Sequence, residues 1–210
     1  EEGATAPLGT ANANEIFEPL KSRQVEAGVK AEGARWGASA AVFRLERGLT
    51  YTAADNSFKQ DGEARYDGLE LSGKARLGTQ WLLNASALWL DARNRKTADL
   101  TLLDKRTAGA APSQYSTYLE YTLPQLPVVF SAGAQRHGKA PLDGANIVTL
   151  DAYTLFDIGA RWSTRIGSVK TILRANVDNL TDRAYWQGSD GFILTQGAPR
   201  TAKLSAQFDF

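Results

Sequence analysis

Apolar and polar side chains alternate with a period of two along most of this chain, most regularly at its carboxyl end. Over Arg200–Phe210, Ala202, Leu204, Ala206, Phe208 and Phe210 fall on one face, while Thr201, Lys203, Ser205, Gln207 and Asp209 fall on the other. Successive side chains of an extended strand point to opposite sides, so this is a strand with one greasy and one wet face. The same alternation predicts nine strands: Ser22–Ala31, Trp36–Ala53, Glu63–Leu77, Trp81–Asn94, Gln114–Thr122, Val128–His137, Leu150–Trp162, Ser168–Asp178 and Pro199–Phe210. Val25, Ala27, Val29 and Ala31 oppose Gln24, Glu26, Gly28 and Lys30, and Val169, Leu173, Ala175 and Val177 oppose Lys170, Arg174, Asn176 and Asp178. The segments at Trp36 and Trp81 are less regular, because Phe43, Leu82 and Leu88 fall on the otherwise polar face. Helical periodicity is confined to a short candidate stretch at Asn14–Leu20.

Most of these segments have the roughly 9–15 residues that carry a tilted strand across a bilayer. The connections alternate in length. Glu32–Arg35, Gly78–Gln80, Leu123–Pro127 and Ser163–Gly167 are short, whereas Ala54–Gly62, Arg95–Ser113, Gly138–Thr149 and the stretch around Tyr185–Ala198 are long. Short turns at one end and long loops at the other fit an outer-membrane barrel, with the short side periplasmic. Trp36, Trp81, Tyr121, Trp162 and Phe210 gather at the short-turn end; Tyr51, Trp89, Tyr115, Tyr153, Tyr185 and Trp186 lie toward the other, as two aromatic girdles. The expected fold is therefore all-β: an antiparallel transmembrane β-barrel segment. The competing reading, a soluble β-sandwich with scattered core aromatics, does not account for loops sorted by length.

Nine strands is an awkward number. Bacterial single-chain barrels are usually even-stranded, and an open sheet leaves two unpaired edges that lipid does not tolerate. Further strands or self-association must close it. No methionine stands at position 1, so the chain is expected to be a processed form or a piece of something longer.

Composition narrows the function. Lys and Arg number 24 against 23 Asp and Glu, and this balance argues against a nucleic-acid-binding protein. The absence of cysteine excludes a disulfide framework, a thiolate metal site and a cysteine nucleophile. No run of about 18 apolar residues provides a transmembrane helix. No G-x-S-x-G, phosphate loop or H-E-x-x-H occurs, so an enzyme is not expected. Pro124–Pro127 fits P-x-x-P but reads as a turn between strands.

A series of short motifs then resembles a known family. Ser22–Lys30 is similar to a strand of pattern S-x-Q-x-E-x-G-x-K, Ala41–Leu45 to A-x-F-R, and Asp61–Leu71 to G-E-x-R-x-x-G-x-E-L. Asn176–Trp186 resembles an N-x-x-N-L-x-D-x-x-Y block, and Gly197–Thr201 the G-x-P-R-T that opens a last strand. In this order and spacing the motifs resemble the C-terminal part of TonB-dependent siderophore receptors, over nearly the whole chain. The resemblance implies about nine strands of a 22-stranded barrel, with residues 1–21 an extracellular loop segment and 22–210 the barrel strands. It also implies an N-terminal plug domain and the remaining strands upstream, TonB acting through that plug, and outer-membrane lipid around the wall. The cell compartment would be the outer membrane of a Gram-negative bacterium. No cofactor held by side chains is implied; a ferric siderophore is the cargo. Another ligand of the same superfamily (cobalamin, haem or a copper complex) stays open, as does a passive porin or autotransporter barrel.

Binding groups concentrate in long loops at a barrel mouth. Arg95, Arg106, Tyr115, Arg183, Trp186, Gln187 and Phe192 are candidates there, since arginine and aromatics suit an anionic, partly apolar chelate. Each also reads as a solvated loop or girdle residue. His137, the only histidine, is a further candidate, or a hydrogen-bonded wall residue. The last strand resembles the signal read by the barrel assembly machinery, with Lys203 as its polar position and Phe208 and Phe210 as its aromatics. Ser205 stands where glycine is usual.

Overall fold

The computed structural model describes residues 4–189 and 193–210. In chain order the strands are β1 (Ser22–Glu32), β2 (Trp36–Thr52), β3 (Phe58–Leu77), β4 (Trp81–Lys96), β5 (Ser113–Thr122), β6 (Val128–His137), β7 (Ala140–Pro141), β8 (Thr149–Leu150), β9 (Tyr153–Ile166), β10 (Val169–Asp178), β11 (Trp186–Ser189), β12 (Ile193–Gln196) and β13 (Thr201–Asp209). Nine of them form one antiparallel sheet in the order β1-β2-β3-β4-β5-β6-β9-β10-β13. The pairs β7–β8 and β11–β12 are small hairpins inside the long connections.

All nine predicted strands are present, and their differences from the expected bounds have physical causes. The connection expected at Ala54–Gly62 is a tight turn, because β2 and β3 continue as a hairpin to Thr52 and Phe58. That extension is held by polar pairs, such as Lys96 with Asp61 at 2.8 Å and the Tyr51 hydroxyl donating to Asp61 at 2.6 Å. It lacks the one-sided apolar alternation that reveals a strand to the eye. The helix expected at Asn14–Leu20 does not form. Asn14 has φ 67°, and Thr5 pairs antiparallel with Ile16. A left-handed residue and the restriction that Pro19 places on Glu18 both oppose a helix there. Among the described residues the only helical element is a 3-10 turn at Leu100–Leu102.

Register settles which side chains share a face. One row runs Leu204, Ala175, Ala160, Phe130, Tyr121, Trp81, Leu77 from β13 back to β3. The alternate face carries the row Lys30, Ser39, Ser72, Ser86, Ser116, Gln135. That polar face is concave: Glu26, Ser39, Glu70, Ser86, Gln114 and Gln135, drawn from six strands, line one open hollow of about 710 Å³. Across it the Ser39 and Ser72 hydroxyls are bonded at 2.7 Å and those of Ser86 and Ser116 at 2.8 Å. Phe43 lies on the concave side because its partner Gly68 has no side chain, and the ring covers the bare backbone there.

The convex face is greasy and uncovered. Val29 is 74% exposed and Leu204 is 85% exposed, and Trp36, Trp81, Trp162 and Phe208 stand open near the short-turn end. Among the described residues the buried apolar ones are Ala6, Ala64, Ala92, Ala111 and Ala140, and none is large. The accessible surface is 13728 Å², whereas a globular monomer of 22.7 kDa exposes about 9,500 Å². Such a sheet has no apolar core of its own, and its open apolar face is of the kind that an apolar surrounding would cover. The apolar stretch of β3 from Leu69 to Leu77 rises about 20 Å for a strand tilted by roughly 40°, most of the apolar band of about 25 Å that outer-membrane barrels carry. Leu204→Arg is therefore expected to weaken insertion of the parent barrel into vesicles by about 2–4 kcal/mol, with Ser205→Arg on the concave face tolerated. Equal folding yields for the two variants in bilayers would contradict the facing.

Candidate ligand-facing rim

The loops that join the outer ends of β9, β10 and β13 are tied by side chains bonded to backbone. Asn179, buried and with φ 49°, sits where β10 ends. Its amide nitrogen donates to the carbonyls of Arg183 (2.9 Å) and Ala198 (3.0 Å), and its amide oxygen accepts the Arg183 N–H (2.8 Å). Asp157 on β9 accepts the Asn179 N–H at 2.8 Å, and Asp182, with φ 53°, accepts the Arg200 N–H at 2.9 Å. Asn and Asp tolerate the left-handed conformation and bond nearby backbone, which explains why these types stand at these places. The arrangement fixes where Tyr185 and the β11–β12 hairpin emerge.

An aromatic ladder stands next to it. His137 at the end of β6 stacks on Tyr153 of β9, centroids 4.9 Å apart at 22°, and Tyr153 meets Tyr185 at 4.3 Å and 31°. Tyr185 lies over Gly197, the position where a side chain would collide with the ring, and Gln187 reaches the Tyr153 hydroxyl. His137 also lines the concave hollow together with Glu70, Gln114 and Gln135. The ladder thus presents ring faces, phenol hydroxyls and amides along the outer end of the concave wall. Such a set binds a partly apolar solute by stacking and directional hydrogen bonds.

The other two long loops are stitched to each other. The Asn146 side chain accepts the Arg106 N–H at 2.8 Å and donates to the Arg106 carbonyl at 2.9 Å, an interlock across two loops. The Thr107 N–H bonds to Ala92 and the Gly109 N–H to Pro141, so residues 97–112 fold back along β4 instead of spreading over the hollow. Asp143 accepts the N–H groups of Val148 (2.6 Å) and Ile147 (3.2 Å), and these bonds hold its carboxyl below the usual carboxylate range.

A family model described as TonB dependent receptor-like, beta-barrel matches residues 3–180. The chain belongs to the TonB-dependent receptor β-barrel family. It is similar to the ferrichrome receptor FcuA of Yersinia enterocolitica, 33% identical over 205 residues that cover 95% of this chain and 27% of that protein. The ferrioxamine B receptor of Salmonella typhimurium is 30% identical over 191 residues, 87% of this chain and 27% of that protein. The crystal structure of BauA, the ferric preacinetobactin receptor of Acinetobacter baumannii, superposes with a TM-score of 0.86 at 28% identity, covering 100% of this chain and 32% of that one. The siderophore receptor PiuA of the same organism shares the fold, at a TM-score of 0.78 and 22% identity over 94% of this chain and 29% of that one. This TonB-dependent receptor chain spans 27% of the length of the curated relatives it matches.

Within this receptor wall the sequence-derived candidates separate. His137 and Gln187 come together with Tyr153 and Tyr185 at the rim, whereas Trp186 opens β11 with its ring exposed and outside the ladder. Arg183 is fixed through its backbone by Asn179, and its side chain is exposed. Arg95 pairs with Asp104 in the loop beyond β4. Arg106 and Tyr115 project from the convex face instead, beside Asp91 and in an edge-on pair with Trp89 at 5.6 Å. Phe192 lies outside the described residues. On β13, Lys203 lies on the concave face and pairs with Asp178 at 2.5 Å, while Phe208 and Phe210 are on the open convex edge.

Tyr153 and Tyr185 do not belong to an outer girdle, as their position along the chain implied. Both stand in the ladder, and parity already carried the signal for one of them. Phe156, Ile158, Ala160 and Trp162 face outward on β9, so odd-numbered Tyr153 faces inward.

Asn179→Ala strands three backbone partners and is expected to destabilise the rim by about 2–3 kcal/mol, with Asn179→Asp less costly because the acceptor survives. Hydrogen exchange across residues 179–200 of the parent measures it. Because the Asp143 carboxyl titrates below its ordinary value, its contribution is complete above about pH 4 and is lost as pH falls through the lowered pKa. Exchange at Val148 should accelerate only in that acid range; acceleration near neutrality would contradict the assignment.

Proposed function

We propose that this chain forms the C-terminal portion of the barrel wall of an outer-membrane receptor that imports a ferric siderophore. In this reading the convex face meets outer-membrane lipid and the long loops open to the exterior. An N-terminal plug and further strands of the parent complete the barrel, and TonB drives import through that plug. The assembly machinery reads the last strand, with Lys203, Phe208 and Phe210 as its contacts. The chain acts as a transporter component and not as an enzyme, and iron arrives inside its chelate as cargo.

The observation that carries the reading is the join of two facts. The family match fixes a receptor barrel, and the relatives similar over nearly the whole chain are named as receptors for ferrichrome and ferrioxamine B. The His137–Tyr153–Tyr185 ladder supplies a surface at the barrel mouth for the chelate's organic shell.

Deleting the parent gene is expected to abolish uptake of one ferric siderophore while haem and cobalamin uptake persist. Unchanged uptake of every tested iron chelate would refute the reading, and loss of haem or cobalamin uptake alone would move the ligand assignment. In the full-length receptor, Tyr153→Ala is expected to weaken chelate binding about tenfold through lost ring contact, with the amount of assembled barrel unchanged.

A further inference from the structure

On the concave face of β9 and β10, toward the short-turn end, like charges stand directly opposite one another. By register Arg161 faces Arg174 across the two strands, and Arg165 faces Lys170. All four lie on the same side of the sheet as Asn176 and Lys203. Like charges in opposed cross-strand positions destabilise a sheet, so two such pairs in succession call for countercharge from elsewhere.

The wall itself does not supply it. Asp178 pairs with Lys203 at 2.5 Å, and Asp157 accepts the Asn179 N–H at 2.8 Å. Asp209, the register partner of Lys170, accepts from the Gln207 side chain at 3.2 Å. Among the described residues no ion pair includes Arg161, Arg165, Lys170 or Arg174. Arg174 reaches only the neutral Gln207 amide oxygen, at 3.3 and 3.4 Å. Arg161, Arg165 and Lys170 are exposed, so their charged ends are open to a partner on the concave side. By contrast, Lys30 and Lys74 on the β1–β3 side both pair with Glu32, at 3.2 and 3.5 Å.

The pattern restricts what the partner is. The opposed pairs burden the resting protein, so the answering anion is resident and not a passing cargo. Arg161 and Arg165 are four residues apart, about 13 Å along a strand, which is farther than one carboxylate or phosphate spans. Several anions fixed on one body fit that length. Next to the cluster the wall is low. Gly133 and Gly159 carry no side chain, and at Gly133 nothing lies nearer than 3.7 Å to the place a Cβ would take. A glycine inside a strand marks a place where another backbone comes close. A polypeptide segment with two or more carboxylates meets all of these requirements, and guanidiniums hold carboxylates by charge-assisted bonds. The curated relatives have room for such a segment, since this chain spans 27% of their length.

We propose that Arg161, Arg165, Lys170 and Arg174 hold an acidic segment of the parent's N-terminal plug against the inner wall at β9 and β10. The inference rests on the reading above in one respect only, that a plug of the parent lies inside the barrel; it is independent of which chelate is carried.

The test uses the full-length parent receptor in nanodiscs, treated with a water-soluble carbodiimide that condenses a lysine amine with a carboxylate in contact with it. Joined peptides are read by mass spectrometry, and the Lys203–Asp178 pair is the standard within the wall. Lys170 is expected to join to an Asp or Glu of the N-terminal portion, and Arg174→Lys to add a second junction to the same segment. Lys170 joined to Asp209 alone, or no junction from position 170 or 174 to the N-terminal portion, overturns the proposal. In a second measurement Arg161→Gln/Arg174→Gln should speed hydrogen exchange of the joined segment about tenfold, with the amount of assembled barrel unchanged. Unaltered exchange there overturns the proposal as well. Siderophore uptake is scored separately in cells: absent uptake with the junction present is failure of the receptor reading, and normal uptake without the junction is failure of this inference.

Discussion

A sheet with one apolar face and one polar face, and no large side chain in a dry core, is stable only between two different solvents. The strand pattern and the short turns of this chain follow from that constraint. Backbone groups in hydrocarbon must be paired within the protein, which the nine-stranded ladder achieves everywhere except along its outer rows at β1 and β13. Those two rows are where a barrel closes. The apolar band also explains the short turns, since at that end the chain has only to reverse, at 33–35, 78–80, 123–127 and 167–168. Gly78 and Gly167 supply the positive φ that two of these reversals need.

Outside the band the chain has no hydrophobic core to organise its loops, and it uses a different bond. Asn146, Asn179, Asp143 and Asp182 each order a loop by bonding side-chain oxygen or nitrogen to backbone groups. Three of these four adopt positive φ. Asx side chains substitute for apolar packing here because they satisfy the backbone locally. The result is a rim firm enough to hold His137, Tyr153 and Tyr185 in register over the concave wall, and the same folding-back of residues 97–112 places Arg106 on the outer surface.

How much of this was legible in the sequence depends on whether one face was apolar. β1, β5, β10 and β13 could be read almost residue by residue, because hydrocarbon on one side imposes strict alternation. The far ends of β2 and β3 could not, since both faces there are wet or loop-covered and the alternation fades at Lys59–Glu63. The supposed helix at Asn14–Leu20 failed for a related reason: a short mixed stretch has no partner face to fix its period. Tyr153 was placed at the right height but on the wrong side, although its strand's parity was available. The interlock of Asn146 with Arg106 joins residues on two different loops and leaves no periodic trace. Nor did the N-L-x-D spacing disclose by itself that Asn179 would hold Ala198.

The central claim is that odd and even positions of one strand face different solvents. The chain contains no cysteine, so single cysteines can be introduced along β10 of the bilayer-reconstituted parent and spin-labelled one at a time. Labels at 173, 175 and 177 should relax with dissolved oxygen, and those at 172, 174 and 176 with a water-soluble nickel chelate, in strict alternation. Uniform accessibility along the strand, or the opposite phase, would contradict the account.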